Sequence, residues 1–236
     1  MNPYILVVLT KYPDICGNLL ESVGKYDPDT EIVIVSDGCE IYHPTAGVIN
    51  APQGDGFNFS RNANLAISSA PDHDIILCND DVILREPKSL QRLAEAGDKR
   101  PTVGILSPLI DGGVGNPYQS VYKLSEWPSW STKILSIAGS IPICFVCVWL
   151  KRKMLNEIGL LDEGFVGYGL EDNDLCLRAR AHGWITGIFR EVTVQHGAGG
   201  GQLSEGLNWS SSFIRSGKPR TSVDYFNRKH PQHRIG

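Results

Sequence analysis

The sequence predicts an α/β fold: a mostly parallel central sheet flanked by helices. Three observations predict it. Short apolar runs rich in aliphatic and β-branched residues alternate with segments of helical spacing through the first third of the chain. Each run is too short for a helix and lacks polar alternation, as strands buried on both faces do. The runs end in polar or acidic residues, and ligands of such sheets sit beyond the carboxyl ends of the strands.

Residues 4–9 (YILVVL) form the first strand and end at Thr10. Asp14 is placed to cap a helix carrying Ile15, Leu19, Leu20 and Val23 at helical spacing, with Gly24 near its end. Residues 31–36 (EIVIVS) form a second strand that stops at Asp37-Gly38, and residues 47–50 a short third. Ser60 is placed as the N-cap of a helix reaching Ala70, and residues 74–78 (DIILC) form a fourth strand running into Asn79-Asp80-Asp81.

The second half reads differently. Residues 102–110 suit a strand, whereas residues 111–130 are rich in Gly, Pro, Ser and Trp and read as a loop. One or two strands fit residues 134–150, and a short helix over 151–158 ends at Gly159. A helix over 171–182 is terminated by Gly183, and strands over 185–189 and 192–195 lead to His196 and a run of glycines.

At 236 residues, 42% hydrophobic and 20% charged, the chain has the composition of a globular protein, which excludes wholesale disorder. Its longest uncharged apolar run, residues 141–150, is half of the roughly 20 residues a spanning helix needs. No signal peptide is evident, so a cytoplasmic protein is expected. The six cysteines are too sparse for a disulfide scaffold, and the lone C-x-x-C at Cys144 and Cys147 reads as buried reduced thiols. The net charge of −4 divides unevenly, with +5 over residues 210–236 and −9 before them. That split predicts either a solvated tail or one that meets an anionic partner.

Four features carry possible chemistry. Adjacent carboxylates Asp80 and Asp81 at a strand end repel each other unless a cation or a solvated turn relieves them. Glu171, Asp172 and Asp174 open a helix behind Gly164, Gly167 and Gly169; the helix dipole favours acids there, and a general base is the functional reading. His196 at a strand end is either structural or a metal ligand. Asp37 either accepts from a nucleobase or forms a turn with Gly38.

Taken in chain order, residues 32–38 (IVIVSDG), 60–66 (SRNANLA), 75–82 (IILCNDDV), 153–165 (KMLNEIGLLDEGF), 168–178 (YGLEDNDLCLR), 181–183 (AHG) and 194–196 (VQH) resemble the family 2 glycosyltransferases and their GT-A relatives. The resemblance implies a Rossmann-like GT-A domain over residues 1–203, with a nucleotide-binding half to about residue 110 and an acceptor half over 111–203. A basic tail over 204–236 follows it. It implies an inverting transfer of a hexosyl group from a nucleotide-diphosphate sugar, UDP-linked by preference, to an acceptor hydroxyl. Thr10, Asp37, Arg61, Asn62, Asn79 and Asp80 would bind the donor. Asp81, with His196, would hold Mn²⁺ or Mg²⁺, and Asp172 would be the base, beside Glu171. The first position of the usual D-x-D is Asn79 here, which leaves Asp81 as the expected ligand. Trp127 and Trp130, in the Pro- and Ser-rich loop, and Trp149 are candidate acceptor contacts. The acceptor class stays open between a glycan, a lipid-linked saccharide and a modified nucleic acid carrying a hydroxylated base.

Two other classes compete. A nucleotidyltransferase would carry a glycine-rich basic loop after the first strand, where this chain reads Thr10-Lys-Tyr-Pro-Asp14, with no glycine until Gly17. A sugar- or nucleotide-binding module without turnover would keep the acidic clusters only by inheritance.

Overall fold

Strand β1 (Tyr4–Thr10) alternates its side chains between two apolar layers: Ile5, Val7 and Leu9 face one, Leu6 and Val8 the other. That alternation organises the whole molecule. The computed structural model describes residues 3–53, 56–126, 134–136, 142–167, 169–197 and 220–235.

Helix α1 (Pro13–Tyr26) follows, then β2 (Glu31–Ser36), β3 (Gly47–Asn50), α2 (Phe59–Ser69), β4 (Asp74–Asn79) and β5 (Val82–Leu84). Next come α3 (Ser89–Asp98), β6 (Val103–Asp111), β7 (Ile134–Ser136), β8 (Cys147–Leu150), α4 (Arg152–Ile158), α5 (Glu171–Ala181), β9 (Ile185–His196) and α6 (Arg220–Lys229). Helices α1 and α3 cover one face through Leu19, Val23, Leu90 and Leu93; α2, α4 and α5 cover the other through Ala63, Ile67, Leu155 and Leu175. Strands clothed on both faces must be apolar throughout, which is why the strands of the first half read as continuous hydrophobic runs.

The sheet runs in the order β3-β2-β1-β4-β8-β6-β9-β5, with β7 also paired to β9. It is mixed, which corrects the expectation of a mostly parallel sheet. Pairs β1–β2, β1–β4, β2–β3 and β6–β9 are parallel, but β8 runs antiparallel to both β4 and β6, and β5 and β7 are antiparallel to β9. The reversal of β5 has a local cause. No helix lies between Val82 and the preceding Asn79, so β5 cannot cross over to continue a parallel series.

Trp149 is fully buried on β8, and a Cβ placed on Gly97 of α3 would lie 2.5 Å from its ring. It is a core side chain that glycine lets α3 approach closely, so its candidacy as an acceptor contact is withdrawn. All six cysteines are free thiols. Among the described residues no helix is long and apolar enough to cross a membrane.

Candidate functional site

Parallel strands β1, β2 and β4 end side by side, with Thr10 opposite Ser36 and Leu9 opposite Asn79. Thr10 donates its hydroxyl to Asp80 Oδ2 at 2.7 Å, and its carbonyl accepts the Asp37 N–H at 2.9 Å. Burial pushes Asp80 up to about 6; the Thr10 hydrogen bond opposes this and the neighbouring Asp81 charge adds to it.

Asp37 is held by the first turn of α2. Asn62 Nδ2 donates to its Oδ2 at 2.6 Å, the Arg61 guanidinium stands 3.8 Å away, and Lys11 Nζ lies 4.0 Å from its other oxygen. The helix starts earlier than the sequence implied. Asn58, not Ser60, is the N-cap, its Oδ1 accepting from Arg61 N at 3.0 Å. Ser60 is buried inside the first turn, and its Oγ has no hydrogen-bond partner among the described residues.

Asp81 continues from β4 towards His196, the last residue of β9. Val82 pairs with His196, and Gly197 N donates to Asp81 O, so the β5–β9 ladder sets the two side chains face to face. Asp81 Oδ1 and His196 Nε2 are 3.3 Å apart. His196 Nδ1 contacts the Gly113 carbonyl, which can only accept, so Nδ1 carries a proton there. A neutral ring then aims its Nε2 lone pair at a carboxylate, an arrangement that a proton or a cation between the two relieves. Burial lowers the imidazole pKa, but the hydrogen bond and charge of Asp81 outweigh burial and leave it raised. Gly112 permits the close packing here: a Cβ at that position would lie 2.2 Å from the His196 carbonyl oxygen, and its φ is +134°. Among the described residues no group of three or more His, Cys, Asp or Glu converges as a ready metal cage.

The acidic cluster opens α5. Leu170, at φ +73°, turns the chain into the helix with Gly169, and Glu171 and Asp172 occupy its first turn. Glu171 is only 3% exposed, and its Oε2 has no partner among the described residues. Half-buried Asp172 accepts from Asn173 N at 2.7 Å, and the nearby Phe145 N–H favours its ionised form. Burial raises both carboxyls, and the Asp172 charge raises Glu171 further.

Phe145 links this cluster to the carboxyl end of β4. The next residue, Val146, accepts Asn79 N–H through its carbonyl at 2.9 Å. Adjacent residues of one segment thus touch Asp172 and the end of β4. Gln119 braces that segment by hydrogen bonds to both N and O of Cys144, and Asn116 Nδ2 donates to Pro142 O. Sequence reasoning missed Asn116, Gln119, Lys11 and Asn58, since each acts on backbone or on one charge from a loop of no recognisable pattern. Asp174, grouped with Glu171 in the sequence, faces away as a fully buried acceptor of Arg178, Lys229 and His230. Trp127 and Trp130 lie outside the described residues.

Comparison with known proteins places this geometry in a wider context. No protein-family profile matches the chain. A Sinorhizobium fredii protein described as "Uncharacterized protein y4gI" is 24% identical over 143 residues, which are 54% of this chain and 16% of that protein. Among solved structures, GalNAc-T7 with UDP, GalNAc and Mn²⁺ superposes with a TM-score of 0.64 at 15% identity, covering 83% of this chain and 44% of its own. The mannosyltransferase PcManGT from Pyrobaculum calidifontis, in complex with GDP-Man and Mn²⁺, superposes with a TM-score of 0.62 at 15% identity, covering 83% and 56%. The chain spans about half the length of these structures and about a sixth of y4gI. At this identity the likeness shows the fold, which is that of GT-A glycosyltransferases.

Proposed function

We propose that this chain is a metal-dependent, inverting glycosyltransferase of the family 2 type that moves a sugar from a nucleotide-diphosphate donor, UDP-linked by preference, to an acceptor hydroxyl. The observation that supports the reading is the two-residue link Phe145–Val146: the Phe145 N–H favours the Asp172 carboxylate, and the Val146 carbonyl accepts the Asn79 N–H at the end of β4, next to Asp80 and Asp81. A base beside a nucleotide-binding strand edge is the arrangement that direct displacement needs.

In this scheme Asp37, fixed by Asn62 and Arg61, accepts from the nucleobase, while Thr10 and Asp80 meet the ribose and sugar. Asp81 and His196 would hold Mn²⁺ or Mg²⁺. Such an ion neutralises the charge of the departing diphosphate. Asp172 takes the acceptor proton as the acceptor oxygen bonds to the anomeric carbon and the bond from that carbon to the diphosphate breaks. Its raised pKa makes it a stronger base than an exposed aspartate, and the Asn173 N–H holds one of its oxygens in place. Glu171, more strongly raised, keeps its proton and adds no second negative charge beside the base.

The test is nucleotide release from a panel of UDP-, GDP- and dTDP-sugars, with Mn²⁺ or EDTA and with saccharide, lipid-linked saccharide and hydroxylated-DNA acceptors. Metal-dependent release coupled to a glycosylated product supports the reading. Pyrophosphate release from a sugar 1-phosphate and a nucleoside triphosphate would replace it with nucleotidyl transfer. UDP binding without turnover would replace it with a binding module.

A further inference from the structure

The positive C-terminal region reads in sequence as either a solvated tail or one that meets an anionic partner, yet Lys229 of helix α6 and the adjoining His230 pair with carboxylates of this chain. Lys229 Nζ lies 2.7 Å from Asp174 Oδ1 and also reaches Asp162, at 2.5 Å. His230 Nε2 stands 2.7 Å from the same Asp174 oxygen, and Arg178 Nε donates to the other at 2.8 Å. Tyr225 donates its hydroxyl to Asp162 at 3.0 Å, its ring meets Phe165 edge-on, and Phe226 is buried. Gly164 lets Tyr225 approach so closely that a Cβ there would lie 2.4 Å from the phenolic oxygen.

What α6 grips leads to both halves of the candidate site. Asp174 belongs to the first turn of α5, two residues after Asp172. Asp162 and Phe165 belong to the segment that caps α2: Gly167 O accepts Phe59 N–H at 2.9 Å, Glu163 O accepts from Asn58, and Asn64 bonds Leu161 and Glu163. The first turn of α2 carries the Arg61 and Asn62 that hold Asp37. A fully buried carboxylate is costly unless its charge is met, so Asp174 is strongly bound to whatever supplies that charge.

We propose that α6 is a brace of the site, with Lys229 and His230 as positioning residues that, through Asp174 and Asp162, hold the first turn of α5 and the first turn of α2 in one fixed relation. The structural claim stands on contacts alone; its catalytic meaning rests on the function proposed above. Loosening the brace should separate the base from the donor without removing either.

Hydrogen–deuterium exchange on the full chain tests the structural claim without any substrate. In a Lys229→Met/His230→Gln double variant, amides in the first turns of α5 and α2 should exchange faster together, on the order of tenfold, while those of β1 and β4 stay protected. Lys229→Arg, with His230 intact, should restore the original protection because the charge reaches Asp174 again. Faster exchange confined to α6, or spread equally into β1 and β4, overturns the proposal. With UDP-N-acetylhexosamine and Mn²⁺ as probe, the double variant should lose more in kcat than it gains in donor KM, since what loosens is chiefly the relation between base and donor. If the unaltered protein turns over no donor, the enzymatic reading fails, and the exchange result still decides the brace.

Discussion

Asp81 Oδ1 lies 3.3 Å from His196 Nε2, and the imidazole is fixed from behind by the Gly113 carbonyl. The two side chains are 115 residues apart in the sequence, and the pairing of β5 with β9 brings them together. Asp81→Asn or His196→Gln should each weaken Mn²⁺ binding in the presence of UDP by at least about tenfold, the scale on which ligand-shell changes act. Titration of free Mn²⁺ by electron paramagnetic resonance measures it. Unaltered affinity in both variants would move the metal elsewhere.

Asp172→Asn keeps the size of the side chain and its contact with the Phe145 N–H region but removes its basicity. Turnover should fall on the order of 10²-fold or more, with donor affinity retained. Near-normal turnover would transfer the role to Glu171.

Glu171 gives a prediction about stability. Burial raises its pKa, so the folded protein holds a proton that the unfolded chain releases at ordinary carboxylate pH. Stability contributed by the protonated form is therefore present at low pH and lost as pH rises through the raised value. Glu171→Gln has no such loss. Between about pH 5 and about pH 9 its melting temperature should gain on the unaltered protein by a few degrees, corresponding to roughly 1–3 kcal/mol. Parallel melting curves across that range would contradict a buried, protonated Glu171.

Thr10→Val should act through Asp80. Without the hydroxyl, the carboxyl loses the bond that opposes its burial and rises further above about 6. Nucleotide affinity should weaken most near pH 6–7, by about 1.5–3 kcal/mol at most, the usual worth of a hydrogen bond to a charged group. Calorimetric titration with UDP at two pH values reads this directly.

Trp149→Phe should leave every acceptor KM unchanged, since the ring is fully buried and its indole N–H has no partner among the described residues. Gly97→Ala, by contrast, drives a methyl into that ring and should cost about 1–3 kcal/mol of stability.

Strands β1, β2 and β4 were legible in the sequence because burial on both faces leaves an apolar signature. The runs ending at Thr10, Asp37 and Asn79 match β1, β2 and β4 to within a residue. Strand direction was not legible in the second half. A four-residue strand such as β8 looks alike whichever way it runs, and only its partners Ile76 and Leu106, both opposite Trp149, fix it as antiparallel. The segments 185–189 and 192–195 read as two strands because Arg190 and Glu191 interrupt the apolar pattern; β9 passes through them with a register shift against β6. Helices α3 and α6 went unread. The first lies behind Pro87 with little apolar content, and the second draws its hold from Lys229 and His230, whose buried partner Asp174 no local pattern reveals. Within the site, the acidic positions were visible as types, whereas the side-chain amides of Asn58 and Gln119 act on backbone atoms distant in sequence, partners that no local pattern reveals.

The sheet order also sets when this molecule can finish folding. Strand β5 pairs with β9, and Arg85 meets Gln195 across a separation of 110 residues. During synthesis the β4–β5 corner leaves the ribosome long before its partner exists, with Val82 and Leu84 uncovered at its edge. At roughly 5–20 residues per second that interval lasts several seconds or more. Such distant pairings slow folding and leave strand edges open to wrong partners. Asp80, Asp81 and Arg85 crowd the turn and flank the waiting strand with charge, and charge beside an open edge discourages intermolecular strand addition. The two carboxylates of this corner thus place charge beside a strand edge that stays open until β9 is made.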